Sequence, residues 1–477
     1  MTSTVIPNAT RDADGNPVSG SAEAVARYDH ALDLLLRYHP DIVAAAEGLA
    51  GGDPRELPMG QAFVAYLSLM TTDAPDVAGA RDAAAALAAV PLNDREAAHA
   101  AAINAWLDGR WHRAARILDD VLVRWPTDVL AVMIGHALDF FTGDAQNLRD
   151  RVGRSLPNLD PEHPRTGFVR GMHAFGLEES GHYERAEAVG LAALERNRDD
   201  VWGLHAVVHT YEMRGRVDDG VRFMRSREAD WGSGNLFTTH NWWHLALYLL
   251  EAGRYQEALA IYDAEVHNDD SAGVSLEMLD ASALLWRLRL DEVDTGDRFA
   301  KLATAWEQQI AGEPWYAFND FHAVTALSGA ARIDDARKVI DRLERYVADA
   351  PVGPGTNRAM TAEVGLPASR AVLAYTEGRH DDVVAELLPV RTVFQHFGGS
   401  HAQRDLLQRT LTESAIRTAR FDLARALLDE RLSQRDTSVY GLLRRARVLA
   451  RQGSDQQARQ AEEAAIANRA RFDAAAA

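Results

Sequence analysis

Two pairs of histidines at helical spacing are the residues of this sequence best suited to chemistry: His205 with His209, and His240 with His244. An i, i+4 separation sets two imidazoles on one face of a helix. Imidazole carries protons near neutral pH and ligates metals. Glu212 extends the first stripe at i+7, and Asn241 and Trp243 lie within the second pair. Further along, FNDFHA supplies Asp320 and His322, residue types that can orient one another as acid and base. The run QHFGGSHAQRD adds Ser400, His401 and Arg404. A guanidinium such as that of Arg404 can grip a carboxylate or phosphate, and Ser400 reads as a nucleophile or as a helix N-cap.

Stricter templates fail. The H-E-x-x-H peptidase motif needs a glutamate after its first histidine, where the two pairs carry Ala206 and Asn241. There is no Gly-x-Ser-x-Gly elbow, no phosphate-binding glycine loop and no cysteine, which excludes thiolate ligands and disulfides. No motif requires a cofactor, and no metal ligand set is fixed. A site drawing on His205, His209, His240 or His244 with Glu212 or Asp320 stays open. Trp242 and Trp243 are consecutive, so on a helix they point about 100° apart and one of them must enter the core.

The elements that position these residues are helices. Alanine-rich runs such as 82–90 favour them, and alternating β-branched runs are almost absent. One phrase recurs: a glycine or alanine, one residue, an aromatic or apolar residue, then a small or aliphatic residue three further on. It appears at Gly109-Arg110-Trp111 with Ala114, Gly181-His182-Tyr183 with Ala186, and Gly215-Arg216-Val217 with Gly220. It returns at Gly253 with Tyr255 and Ala258, Ala331 with Ile333 and Ala336, Gly378 with His380 and Val383, and Ala419 with Phe421 and Ala424. Neighbouring phrases stand ~34 to ~47 residues apart, and two gaps are near twice that. The physical reading is a helix closed at glycine, an aromatic plugging the crevice between paired helices, and a small residue allowing close approach.

This pattern resembles the tetratricopeptide repeat over roughly 95–455. The expected fold is all-α, a right-handed α-α superhelical solenoid of divergent tetratricopeptide-like helix pairs. Degenerate units fall in the two wide gaps, near 136–157 and 277–305. The expected layout is a disordered tail over 1–21, capping helices over 22–94, the solenoid over 95–460 with an irregular Pro/Gly loop at 350–367, and a C-terminal capping helix and tail over 461–477. In order, LHAVVHTYEMRGR, THNWWHLALYLLEAGRY, FNDFHA and GGSHAQRD resemble the tetratricopeptide repeat protein 38 family, found in bacteria and animals, of which this reads as a bacterial member. The repeat resemblance implies that His205, His209 and Glu212 face the concave groove.

Composition narrows the partners. With 51 basic and 70 acidic residues the formal charge is −19, which argues against a nucleic-acid backbone or an anionic membrane. No apolar run approaches the ~18 residues of a membrane helix, and 1–21 lacks a signal-peptide core. A cytoplasmic monomer or homodimer is expected. The functional expectation is a binding protein whose groove holds a peptide or small molecule through His205, His209, Glu212, His240, Asn241, Trp243, His244, Asp320, His322, His401 and Arg404. The alternative is an enzyme with an enclosed His/Asp pocket, a hydrolase of an amide or ester with or without a metal, for which His209, His244, Asp320 and His322 are the catalytic candidates.

Overall fold

A computed structural model describes residues 10–349 and 355–476. Apart from one two-stranded antiparallel hairpin, Thr10–Arg11 with Pro17–Val18, every regular element among them is helical. The all-α reading holds, and no helix is long and apolar enough to cross a membrane among the described residues.

The recurring phrase marks the joints between helices. Gly109, Gly181, Gly215, Gly253 and Gly378 all have φ between +65° and +79°. Ala331 and Ala419, at +58° and +56°, adopt the same left-handed conformation without glycine's freedom. The small or aliphatic residues Ala114, Ala186, Gly220, Ala258, Ala336, Val383 and Ala424 are all buried. At Gly220 the reason is concrete. A Cβ there would lie 2.2 Å from the ring of Tyr248, whose hydroxyl donates to the Val208 carbonyl at 2.6 Å. The crevice-plugging aromatic is less uniform than expected. Trp111 and Val217 are buried, whereas Tyr183, Tyr255, Ile333, His380 and Phe421 are half-buried in the first turn of the second helix, at the rim of the crossing.

Both wide gaps contain complete helix pairs. Val129–Phe141 and Ala145–Ser155 join through Gly143 at φ +68°, and Ser275–Leu290 and Arg298–Gln309 join after Glu292 at φ +62°.

Two boundary expectations are corrected. Residues 1–9 lie outside the described residues, but 10–21 are ordered rather than a disordered tail. Arg95, 1% exposed, donates to Asp12 at 2.8 Å and to the Pro17 carbonyl at 3.3 Å, fastening the hairpin to the helix Asp94–Leu107. In the region expected as an irregular loop over 350–367, residues 350–354 lie outside the described residues. From Thr356 the chain is helical: Thr356–Met360, a π-turn over Thr361–Gly365, then Leu366–Thr376. Pro367 follows directly on the π-turn, in the first turn of this last segment.

The chain divides into two compact units, residues 10–206 with 234–236 and residues 207–233 with 237–476. In the first unit a core cluster gathers Leu148, Ala174, Phe175 and Ala206. In the second, the long C-terminal helix Asp455–Ala476 packs along Val439–Arg451.

Candidate functional site

The second unit brings together His209, His240 and His244. His209 lies on the helix Val201–Met213, and His240 and His244 lie one turn apart on Thr238–Glu251. A ring nitrogen from each falls within 4.8 Å of the others. His209 and His244 are fully buried, and His240 keeps 14% of its side chain exposed. Burial holds both His209 and His244 well below the usual imidazole pKa, reinforced by the neighbouring rings.

Two carboxylates orient the His240–His244 pair. His240 Nδ1 lies 2.6 Å from Asp280 Oδ2, and His244 Nδ1 lies 3.2 Å from Glu212 Oε2. A carboxylate only accepts, so each Nδ1 carries the proton and donates it. The two Nε2 atoms lie within hydrogen-bonding distance of each other, at 3.2 Å. Asp280 is itself fully buried and held by Gln403 Nε2 at 3.2 Å. Trp243 is fully buried, stacked on His240 with centroids 5.3 Å apart and meeting His244 edge-on at 4.8 Å. It is a wall of the pair, and the Arg287 guanidinium lies over its ring at 5.6 Å from the centroid. Trp242 points elsewhere, donating to the Gly232 carbonyl at 3.0 Å. Asn241 is buried in the same helix.

Glu212 links this group to an ion network. Arg435 approaches Glu212 at 3.7 Å, and Arg409 donates to Glu251 at 2.9 Å and to Asp405 at 3.1 Å. Arg431 also pairs with Asp405. A cavity of about 20 Å³ adjoins Glu212, Glu251, Arg287, Asp405, Arg409 and Arg435. That volume admits about one water molecule; an organic ligand needs a pocket of roughly 300–1,000 Å³.

Of the remaining candidates, Asp320, His322, Ser400 and Arg404 are engaged with other partners. His205 belongs to the first unit, stacked on Phe175 at 5.0 Å and tilted against Trp202 at 5.0 Å. Asp320 and His322, expected as an acid–base pair, do not serve one another. Asp320 faces Arg342 at 3.6 Å, while His322 Nδ1 donates to the Phe318 carbonyl at 2.8 Å and its ring packs on Phe318 and Phe321. Residues two apart on a helix point to different sides, so the spacing could not pair them. Burial pushes Asp320 up to about 7 and His322 down to about 3. Ser400 is the N-cap of the helix His401–Arg417, with a capping box closed by Gln403. This removes it as a nucleophile. His401 is half-buried in the first turn, and Arg404 donates to the Gly399 carbonyl.

The neutral burial of His322 has a measurable consequence. Its folded value of about 3 lies below the unfolded value of about 6.5, so the unfolded chain takes up the proton first as pH falls. Its contribution is whole above pH ~6.5 and is lost toward pH 3, at up to about 1.4 kcal/mol per pH unit. His136 in the first unit, also pushed by burial to about 3, behaves alike. The deficit of His322→Gln against wild type in urea unfolding is therefore expected to shrink by about 2 kcal/mol between pH 7 and pH 4.5. A deficit independent of pH would contradict neutral burial.

Sequence reasoning missed Asp280, Gln403, Arg409 and Arg435. Asp280 carried a signal: it is an acid inside SLEMLDASALLWRLRL, a helix buried on nearly every side. An uncompensated carboxylate there needs a partner.

The chain matches no family model. Among solved structures it is similar to the human IFIT1 dimer with m7Gppp-AAAA, at 11% identity over 96% of each chain and a TM-score of 0.36. It is similar to the P58(IPK) TPR domain at 11% identity over 80% of this chain and 96% of that one, with a TM-score of 0.22. A third likeness is to Naa15/Naa10 bound to HypK-THB, at 12% identity over 94% of this chain and 64% of that one, with a TM-score of 0.23. The neighbours thus include a named TPR domain, and the helix pairs of the chain itself define its all-α repeat architecture.

Proposed function

We propose that this chain is a helical-repeat binding protein whose second unit holds a small ligand against His209, His240 and His244. One observation carries the reading: two carboxylate-backed imidazoles bring their Nε2 atoms within 3.2 Å of each other, with a ring nitrogen of His209 close by, inside a largely buried site. Three imidazoles gathered in one place offer a small ligand ring nitrogens from two helices. The resemblance of the histidine phrases to the tetratricopeptide repeat protein 38 family supports treating them as one unit, with Trp243 and Asn241 as their frame. A peptide in a concave groove and an amide or ester hydrolase are the other forms of the reading, and the small cavity beside Glu212 favours neither.

Native mass spectrometry of the tag-free full chain tests this. The expected spectrum shows mass beyond that of the chain, lost on unfolding and absent from His244→Gln. A bare chain mass in wild type, persisting after incubation with divalent cations, carboxylates and short peptides, would overturn it.

A further inference from the structure

We infer that the His209–His240–His244 cluster is a binding site for a zinc-class divalent cation, with Asp280 and Glu212 as its outer carboxylates. The inference rests on the small-ligand reading above and names the ligand's chemistry.

Distance makes the first case. Zinc–nitrogen bonds of about 2.0–2.1 Å at a tetrahedral angle put two ligating nitrogens about 3.3–3.4 Å apart. His240 Nε2 and His244 Nε2 stand 3.2 Å apart. His209 offers a third ring nitrogen within 4.8 Å of both.

The second case is the outer shell. A metal-bound histidine characteristically donates its other N–H to a carboxylate or carbonyl, which fixes the tautomer and makes the ligating nitrogen more basic. His240 and His244 each do so, to Asp280 at 2.6 Å and Glu212 at 3.2 Å. Asp280 is further fixed by Gln403 at 3.2 Å, so the orientation of the His240 ring is set from two elements away.

Charge is the third. A divalent ion buried among neutral imidazoles needs negative charge close by, and Asp280 and Glu212 supply it. Imidazole donors without thiolate suit zinc, copper, nickel and iron over calcium or magnesium, which require oxygen cages. The i, i+4 spacing of His240 and His244 is one that lets a single helix supply two ligands without the H-E-x-x-H motif.

The test uses the tag-free full chain, stripped with chelator and dialysed against zinc, with metal measured by mass spectrometry. The chain is then loaded with cobalt(II) for visible spectroscopy. About one equivalent of zinc is expected, with cobalt d–d bands of the intensity typical of low-symmetry nitrogen sites. His209→Gln, His240→Gln and His244→Gln should each abolish the bands, and Asp280→Asn should weaken zinc binding about 10–100-fold. His240 is partly open to solvent, so His240→Gln, with circular dichroism showing native helix content, keeps the test valid where the more buried variants fail to fold. Retention of less than a tenth of an equivalent by folded wild type, or binding unchanged in folded His240→Gln, would overturn the inference. A bound organic molecule without metal overturns this inference and leaves the small-ligand reading standing; a bare chain overturns both.

Discussion

Arg409→Ala is expected to lower the unfolding free energy by about 3–5 kcal/mol, read as a fall in the urea midpoint at pH 7. The guanidinium is 5% exposed and joins two carboxylates, Asp405 at 3.1 Å and Glu251 at 2.9 Å, while lying 4.2 Å from the Tyr440 ring centroid. Burial alone would raise the pKa of Asp405. Arg431, Arg435 and Arg409 overcome it and hold the carboxylate well below its usual range, so it stays charged. Without Arg409 the network keeps its negative charges in a low-dielectric interior and loses a fork that bonds both. Arg409→Lys retains the charge but not the planar fork, so it should lose less. The double replacement Arg409→Met with Asp405→Leu should recover part of the loss, because an apolar pair leaves less charge unpaired. A single-variant loss below about 1 kcal/mol would place the network among weak surface-type pairs and contradict the account.

Arg95→Met should cost the first unit a similar 3–5 kcal/mol, with a local signature as well. Arg95 bonds Asp128 at 2.6 Å and Asp12 at 2.8 Å, and His99 reaches the same Asp128 oxygen at 3.0 Å, all at or below 1% exposure. Burial outweighs Arg95 at Asp12, whose pKa is raised, whereas at Asp128 Arg95 and His99 overcome burial and lower it. Asp12 in turn accepts from the backbone N–H of Asn16 at 2.8 Å, which shapes the hairpin turn. Loss of Arg95 should therefore speed amide hydrogen exchange over residues 10–18 more than elsewhere in the unit. Uniform exchange across the unit would show that the hairpin holds without it.

These networks explain what the sequence could and could not reveal. The helix joints were legible because each relies on a local device, a left-handed residue followed at fixed spacing by a small or aliphatic one. The two wide gaps were not, because there the small residue moves to another helix. In the pair that follows Gly143, the second helix carries Leu148, and close approach is provided by Gly176 of the next helix, where a Cβ would lie 2.6 Å from the Leu148 carbonyl oxygen. In the pair around Glu292, Phe299 takes the bulky role and Gly329 makes room, a Cβ there meeting the Phe299 ring at 2.2 Å. A pattern read along one segment cannot see a compensation made on its neighbour. The N-terminal hairpin was hidden for the same reason: its order comes from Arg95, more than seventy residues away in sequence.

The site was legible in part. Helical spacing identified the faces of His209, His240, His244 and Glu212. It could not reveal that Asp280, on another helix, sets the tautomer of His240, nor that Asp320 and His322 point apart.

X-ray absorption at the zinc edge of the loaded full chain addresses the central claim most directly. The account predicts a nitrogen shell at about 2.0–2.1 Å with the outer-ring scattering of imidazole, a signal that is lost in His240→Gln. A shell of oxygen alone, without imidazole scattering, would contradict it.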